Sequence, residues 1–154
     1  NQYDGTVRSA RFHSIETFGD GSIGVQVSKP VGNIVIEKGI TTHGSVGNTL
    51  VKGVNMVLPA EAFSVKPGGV VEKLEVGGDL TTHGANVTTY AVEGGKVNAV
   101  DIKGQVLANG ENADAVLISK GGATPLTNVR ASARAGKSLV VADGTVTDRT
   151  GLSA

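Results

Sequence analysis

The sequence predicts an all-β chain wound as a solenoid, with three short strands in each turn and one turn lying on the next. Three observations predict it. Val71–Gly95 (VEKLEVGGDLTTHGANVTTYAVEGG) is copied 26 residues further on in Val97–Gly122, and a fixed period between about 20 and 50 residues marks a repeat architecture. A five-residue segment recurs almost unchanged, ITTHG at Ile40–Gly44 and LTTHG at Leu80–Gly84. Apolar residues alternate with polar ones within each piece, as in Leu74-Glu75-Val76 and Ile34-Val35-Ile36-Glu37. Side chains two apart share one face of a strand, so this alternation turns one face to a core. No segment sustains a helical period over 11 residues.

Asn1–Gly5 is polar and reads as a frayed start. The first rung runs through Phe12, Ile15, Thr17 and Gly19 to Val25 and Val27. Placing Gly19 over Gly44 sets Ile15 over Ile40, while Val7–Phe12 fits only with a one-residue slip. The second rung is regular from Val31 to Gly44 and then departs: Val31–Gly69 is 14 residues longer than Val71–Gly95. Most of the excess falls in Gly47–Ala60 (GNTLVKGVNMVLPA), an insertion that carries Leu50, Val51, Val54, Met56, Val57 and Leu58. The two clean rungs follow. In the first of them the strand pieces are Val71–Val76, Asp79–His83 and Thr88–Val92, parted by turns at Gly77-Gly78, Gly84–Val87 and Glu93–Gly95. The last rung is degraded. Gly136 keeps the 26-residue spacing from Gly110 but would turn Ser132 and Arg134 inward. A slip of one residue instead aligns Val129, Ala131 and Ala133, then Leu139 and Val141. Regular rungs thus span about 12–141, and 1–154 reads as a single solenoid domain or a segment of a longer one.

Stacked in parallel, equivalent strands lie about 4.8 Å apart and equivalent side chains form columns. The predicted inner columns are Ile34/Leu74/Val100, Ile36/Val76/Ile102, Ile15/Ile40/Leu80/Val106 and Val27/Val65/Val92/Ile118. β-branched residues dominate them, as a pleated, half-buried surface favours. No amphipathic capping helix is evident at either end, and open terminal rungs invite stacking on further protein or on a second copy.

Composition narrows the functional classes. Lys plus Arg and Asp plus Glu both number 14, without the basic excess of a nucleic-acid binder. No cysteine is present, which excludes disulfide and thiolate–metal frameworks. No run reaches the roughly 18 apolar residues of a membrane-spanning helix, so direct membrane insertion is not expected. The chain begins at Asn1 without a leader, which reads as a processed protein or an excised segment. Glycine-rich stretches match no phosphate or dinucleotide fingerprint. No calcium repeat and no nucleophile elbow occur, so no cofactor is expected.

Four groups of residues are candidate sites. His43 and His83 hold equivalent slots in adjacent rungs, preceded in the column by Phe18 and followed by Asn109. Two imidazoles one strand apart could begin a transition-metal site, although ring packing beside a turn accounts for them as well. Glu75 and Asp101 should stack facing outward, the arrangement of a carboxylate pair in a glycosidase, and the sequence places no basic partner beside them. They read as solvated surface acids. The threonine pairs Thr41-Thr42, Thr81-Thr82 and Thr88-Thr89 suggest an ice-binding ladder, but the column decays to Leu107-Ala108 one rung later. The insertion is the most informative departure, because insertions in repeat proteins leave the rod on one face and often bind there; the alternative is that Val51 to Leu58 folds as extra strand along the rod or packs back on it.

The repeated segments at Ser14–Gly19, Ile40–Gly44 and Leu80–Gly84, with the glycine-pair endings Val65–Gly69, Val92–Gly95 and Ile118–Gly122, resemble the passenger domains of bacterial autotransporter adhesins and other right-handed parallel β-helices. Left-handed hexapeptide helices fit poorly, since the period is near 26 rather than 18. The resemblance covers about Phe12 to Val141. It implies a right-handed winding, a secreted or cell-surface location and a rod exposed to solvent. The resulting expectation is a non-enzymatic, adhesin-like surface rod, with contacts to a host or cell-surface protein or glycan carried by Leu50, Val51, Val54, Met56, Val57 and Leu58. The alternatives are a polysaccharide-active β-helix (lyase, hydrolase or epimerase) and a subunit of an end-stacked filament.

Overall fold

The computed structural model of the protein describes residues 2–3, 7–19, 23–44, 47–51, 54–58 and 61–153, and for 2, 3, 7, 47–51 and 54–58 the backbone alone. The strands in chain order are β1 (Gln2–Tyr3), β2 (Val7–Phe12), β3 (Ile15–Thr17), β4 (Val25–Val27), β5 (Pro30–Ile36), β6 (Ile40–Thr42), β7 (Gly47–Val51), β8 (Val54–Leu58) and β9 (Phe63–Val65). They continue with β10 (Val70–Val76), β11 (Leu80–Thr82), β12 (Tyr90–Glu93), β13 (Lys96–Val97), β14 (Val100–Ile102), β15 (Gln105–Glu111), β16 (Val116–Thr124), β17 (Arg130–Ala135) and β18 (Leu139–Val146). They wind as a parallel β-solenoid of about five turns.

Each turn contributes a strand to three faces. On the first face β2, β5 and β10 lie in register, followed by β13 and β14, so that Ile34, Leu74 and Val100 align. On the second face Ile15, Ile40, Leu80, Val106 and Ala131 form one column through β3, β6, β11, β15 and β17. On the third face Val27, Val65, Val92, Ile118 and Val141 align through β4, β9, β12, β16 and β18. All four inner columns expected from the sequence are therefore in register. The slip before Ile15 is also present: Phe12 pairs Ile36, 24 residues on, while Ile15 pairs Ile40, 25 on. In the last rung Ala131, not Ser132, stands over Val106, which is the shifted register.

The core is a single aliphatic cluster running the length of the rod. Its two aromatic rings stack across a rung, Phe63 on Tyr90 with centroids 5.5 Å apart and 13° between planes. The buried Tyr90 hydroxyl is satisfied by Thr124 Oγ1 at 2.8 Å. The inward threonines are satisfied as well: Thr82 and Thr89 hydroxyls lie 2.9 Å apart, and Thr89 donates to the Leu107 carbonyl at 2.8 Å. Thr42 and Thr82 thus point into the core and only Thr41 and Thr81 outward, so the repeated threonine pair is half interior and makes no flat external ladder. Burying hydroxyls without partners would cost on the order of a few kcal/mol each.

The glycine pairs have a two-part cause. The corner from the third face to the first needs a residue in the left-handed region, supplied by Gly68 (φ 88°) and Gly94 (φ 78°), where glycine carries no steric cost. The second glycine of each pair sits over the preceding rung: a Cβ on Gly95 would meet Val65 Cγ1, and one on Gly122 would lie 2.6 Å from the Val92 carbonyl oxygen. Lys120 and Gly121 (φ 56° and 81°) and then Asp143 (φ 63°) turn the same corner higher up. The winding loosens at that end. Leu139 packs against the core, but Val141, expected inside, is 39% exposed. It aligns with Ile118 below, yet among the described residues no strand pairs above β18.

Candidate functional site

The insertion expected at Gly47–Ala60 is a β-hairpin. β7 and β8 pair antiparallel from Gly47↔Leu58 to Val51↔Val54 and form a two-stranded sheet of their own. Every other strand pairing among the described residues is parallel. The chain takes 21 steps from Thr42 to Phe63 where it takes 8 from Thr82 to Tyr90, although both spans join the second face to the third in register. The 13 extra residues therefore leave the rod after the second face and rejoin it in register on the third. The side chains of Leu50, Val51, Val54, Met56, Val57 and Leu58 lie outside the described residues.

The first face carries an open groove of about 410 Å³ lined by Arg11, Glu37, Glu75, Asp101 and Lys103 among others. Glu75 and Asp101 are register partners, as their spacing predicted. The expectation that they lack basic neighbours is wrong. Lys73 Nζ lies 2.8 Å from Glu75 Oε1, and Lys103 Nζ lies 3.2 Å from Asp101 Oδ2. Lysines two residues away on the same strand face supply them, a relation the sequence already contained. The hydrogen bond and charge of Glu75 hold the Lys73 ammonium above its ordinary range. The groove is thus an alternation of compensated charges along the rod.

His43 and His83 stack as their spacing predicts, with centroids 4.9 Å apart and 11° between planes. Phe18 extends the column on the other side of His43 at 4.6 Å and 5°, and it is 69% exposed. His43 Nε2 lies 2.9 Å from Glu16 Oε2. Parallel rings hold their nitrogen lone pairs in parallel planes, so a shared ion would require one ring to rotate. Among the described residues no three His, Asp or Glu side chains converge on a common metal position.

One group was not legible in the repeat. Glu61 lies between β8 and β9, is 1% exposed, and faces Lys66, whose Nζ stands 3.4 Å from Glu61 Oε1 and 3.4 Å from Glu93 Oε1. Lys120 Nζ reaches Glu93 Oε2 at 3.7 Å. Ser64 and Ala91, outward by alternation on β9 and β12, are fully buried. Ser64 Oγ lies beside the Glu61 carboxyl but off hydrogen-bond geometry, without a partner of its own. Burial is the main reason the Glu61 carboxyl is pushed up to about 7, because low dielectric disfavours the charged form. Lys66 opposes the shift and Glu93 adds to it. The signal in sequence was an acid flanked by Ala60, Ala62 and Phe63.

These features define a parallel β-solenoid with one turn opened by a hairpin and a buried charge cluster beside it. Comparison with protein families, with characterised proteins and with solved structures finds no match to this chain.

Proposed function

We propose that the protein is a non-enzymatic rod of a secreted or cell-surface protein, similar in role to the passenger of an autotransporter adhesin, and that its inserted hairpin makes the specific contacts. One observation carries the reading. The stack of rungs is interrupted once, between β6 and β9, by two antiparallel strands that pair with each other and with no rod strand among the described residues. A two-stranded hairpin is marginal alone in water, and its sequence is rich in Leu, Val and Met. Such a segment gains most by covering its apolar side chains on a partner, for which a host or cell-surface protein or glycan is the proposed class. The test replaces 47–60 by a single glycine, which leaves Thr42 and Phe63 as far apart in sequence as Thr82 and Tyr90, and measures adhesion to cells and to glycan and protein arrays. Binding by the intact chain that is lost on replacement, with the fold kept, supports the proposal. Binding that survives replacement defeats it.

A second reading rests on the first-face groove, where Glu75 and Asp101 stand side by side. Turnover of an anionic polysaccharide, abolished by Glu75→Ala or Asp101→Ala, would establish it over the first. The lysines already beside both acids favour a structural role.

A further inference from the structure

Glu61 is the one charged side chain among the described residues that is fully buried, and it stands where the chain comes back from the hairpin to the rod. Its backbone is tied on both sides. The Glu61 carbonyl accepts from Gly24 N at 2.9 Å, and the Ala62 carbonyl accepts from Val25 N at 3.0 Å. Ala62 N and Phe63 N both donate to the Thr89 carbonyl, at 3.1 and 3.0 Å. The return segment is therefore stitched to β4 on one side and to the approach of β12 on the other. The side chains are less well matched. One ammonium, Lys66, serves two carboxylates at equal distance, and Lys120 reaches only Glu93. With both acids ionised, the buried part of the cluster holds two negative charges against one positive. The Lys120 side chain is 68% exposed and compensates weakly. Lys52, the single charged residue of 47–58, lies outside the described residues.

We infer that Glu61, with Lys66, Glu93 and Lys120, forms a pH-responsive clasp at the root of the hairpin, closed when the Glu61 carboxyl is neutral and loosened when it ionises. In the neutral form Lys66 answers Glu93 alone, and no uncompensated charge lies under the return segment. In the ionised form the desolvated carboxylate competes for Lys66, and its route to solvent is to lift the segment 61–63 away from Thr89 and Gly24. The clasp concerns the attachment of the hairpin and holds whether or not the hairpin carries a partner.

The direction of the pH effect follows from linkage. The Glu61 carboxyl titrates near 7 in the fold against an ordinary value of 4.5, so the folded chain binds more protons than the unfolded chain between those limits. Its contribution to stability is full below about 4.5 and is lost as pH rises through about 7. The expected experiment is thermal unfolding of the full chain from pH 5 to 8, with amide hydrogen exchange corrected for the intrinsic rate at each pH. The unmodified chain should unfold about 5 °C or more lower at pH 8 than at pH 5. Glu61→Gln, which keeps the shape and removes the charge, should flatten the profile. Glu93→Gln should move the midpoint to lower pH, because the Glu93 charge is one cause of the raised value. Amides of Gly24, Ala62 and Phe63 should lose protection at pH 8 while those of Leu80 and Val106 keep theirs. A flat profile in the unmodified chain, a slope unchanged in Glu61→Gln, a Glu93→Gln midpoint that rises, or a loss of protection spread evenly over the rod would each overturn the clasp.

Discussion

The stretch from Val70 to Gly122 and the stretch from Thr42 to Lys66 make the same circuit by opposite means. In the first, the aliphatic columns lie like on like, Leu80 on Ile40 and under Val106, Val92 between Val65 and Ile118. Parallel stacking makes each rung the template for the next, and the aliphatic column holds the register because a one-residue slip would turn it outward. In the second, register is kept at Thr42 on the second face and at Phe63 on the third, while the chain between leaves as an antiparallel hairpin. Near its return a carboxyl is buried where the clean rungs carry Thr88 and Asp114 in equivalent positions. Repetition thus maintains the rod, and the departure from repetition is where distinct chemistry is placed.

That contrast can be broken most severely at the column. Leu80→Ala removes a fully buried side chain from between two neighbours that cannot collapse independently, and should cost about 2–5 kcal/mol. Thermal or denaturant unfolding measures it, and a cost under about 1 kcal/mol would show that the rungs do not depend on column packing. Tyr90→Phe is the finer probe. It keeps the ring stacked on Phe63 and removes the hydroxyl from Thr124, which still donates to the Pro125 carbonyl at 2.9 Å. The expected loss is about 1 kcal/mol. The smallest effect is expected in the other region. Replacing 47–60 by a single glycine should change stability by less than about 1 kcal/mol, since loop-closure entropy varies slowly with length. A loss comparable to that of Leu80→Ala would show the hairpin to be part of the core instead of an appendage.

Much of the rod was legible in the sequence because stacking in parallel converts a linear period into spatial neighbours. The spacing of 26 between Leu74 and Val100, or Glu75 and Asp101, is the register itself. The ring stack of His43 and His83 followed from the same rule. The glycine pairs could be located but not explained, because their causes are a backbone angle at Gly94 and a close approach of Gly95 to Val65. The lysines beside Glu75 and Asp101 are contained in the alternation itself, since Lys73 and Lys103 lie two residues away on the same face. Glu61 could not be reached by the repeat at all. It belongs to the one turn with no copy, and Glu93, which shares Lys66 with it, lies on the next rung.

By itself, then, the sequence determined the winding, the register of its aliphatic columns and the place where the winding is interrupted. These are written in local alternation and fixed spacing, which parallel stacking reads directly. Only the tertiary structure decided that the interruption pairs with itself, that Val141 stands partly in solvent, and that Glu61 is shut away against Lys66 and Glu93. Those depend on which surfaces cover one another, and burial and charge compensation are properties of the assembled neighbours, which no single rung encodes.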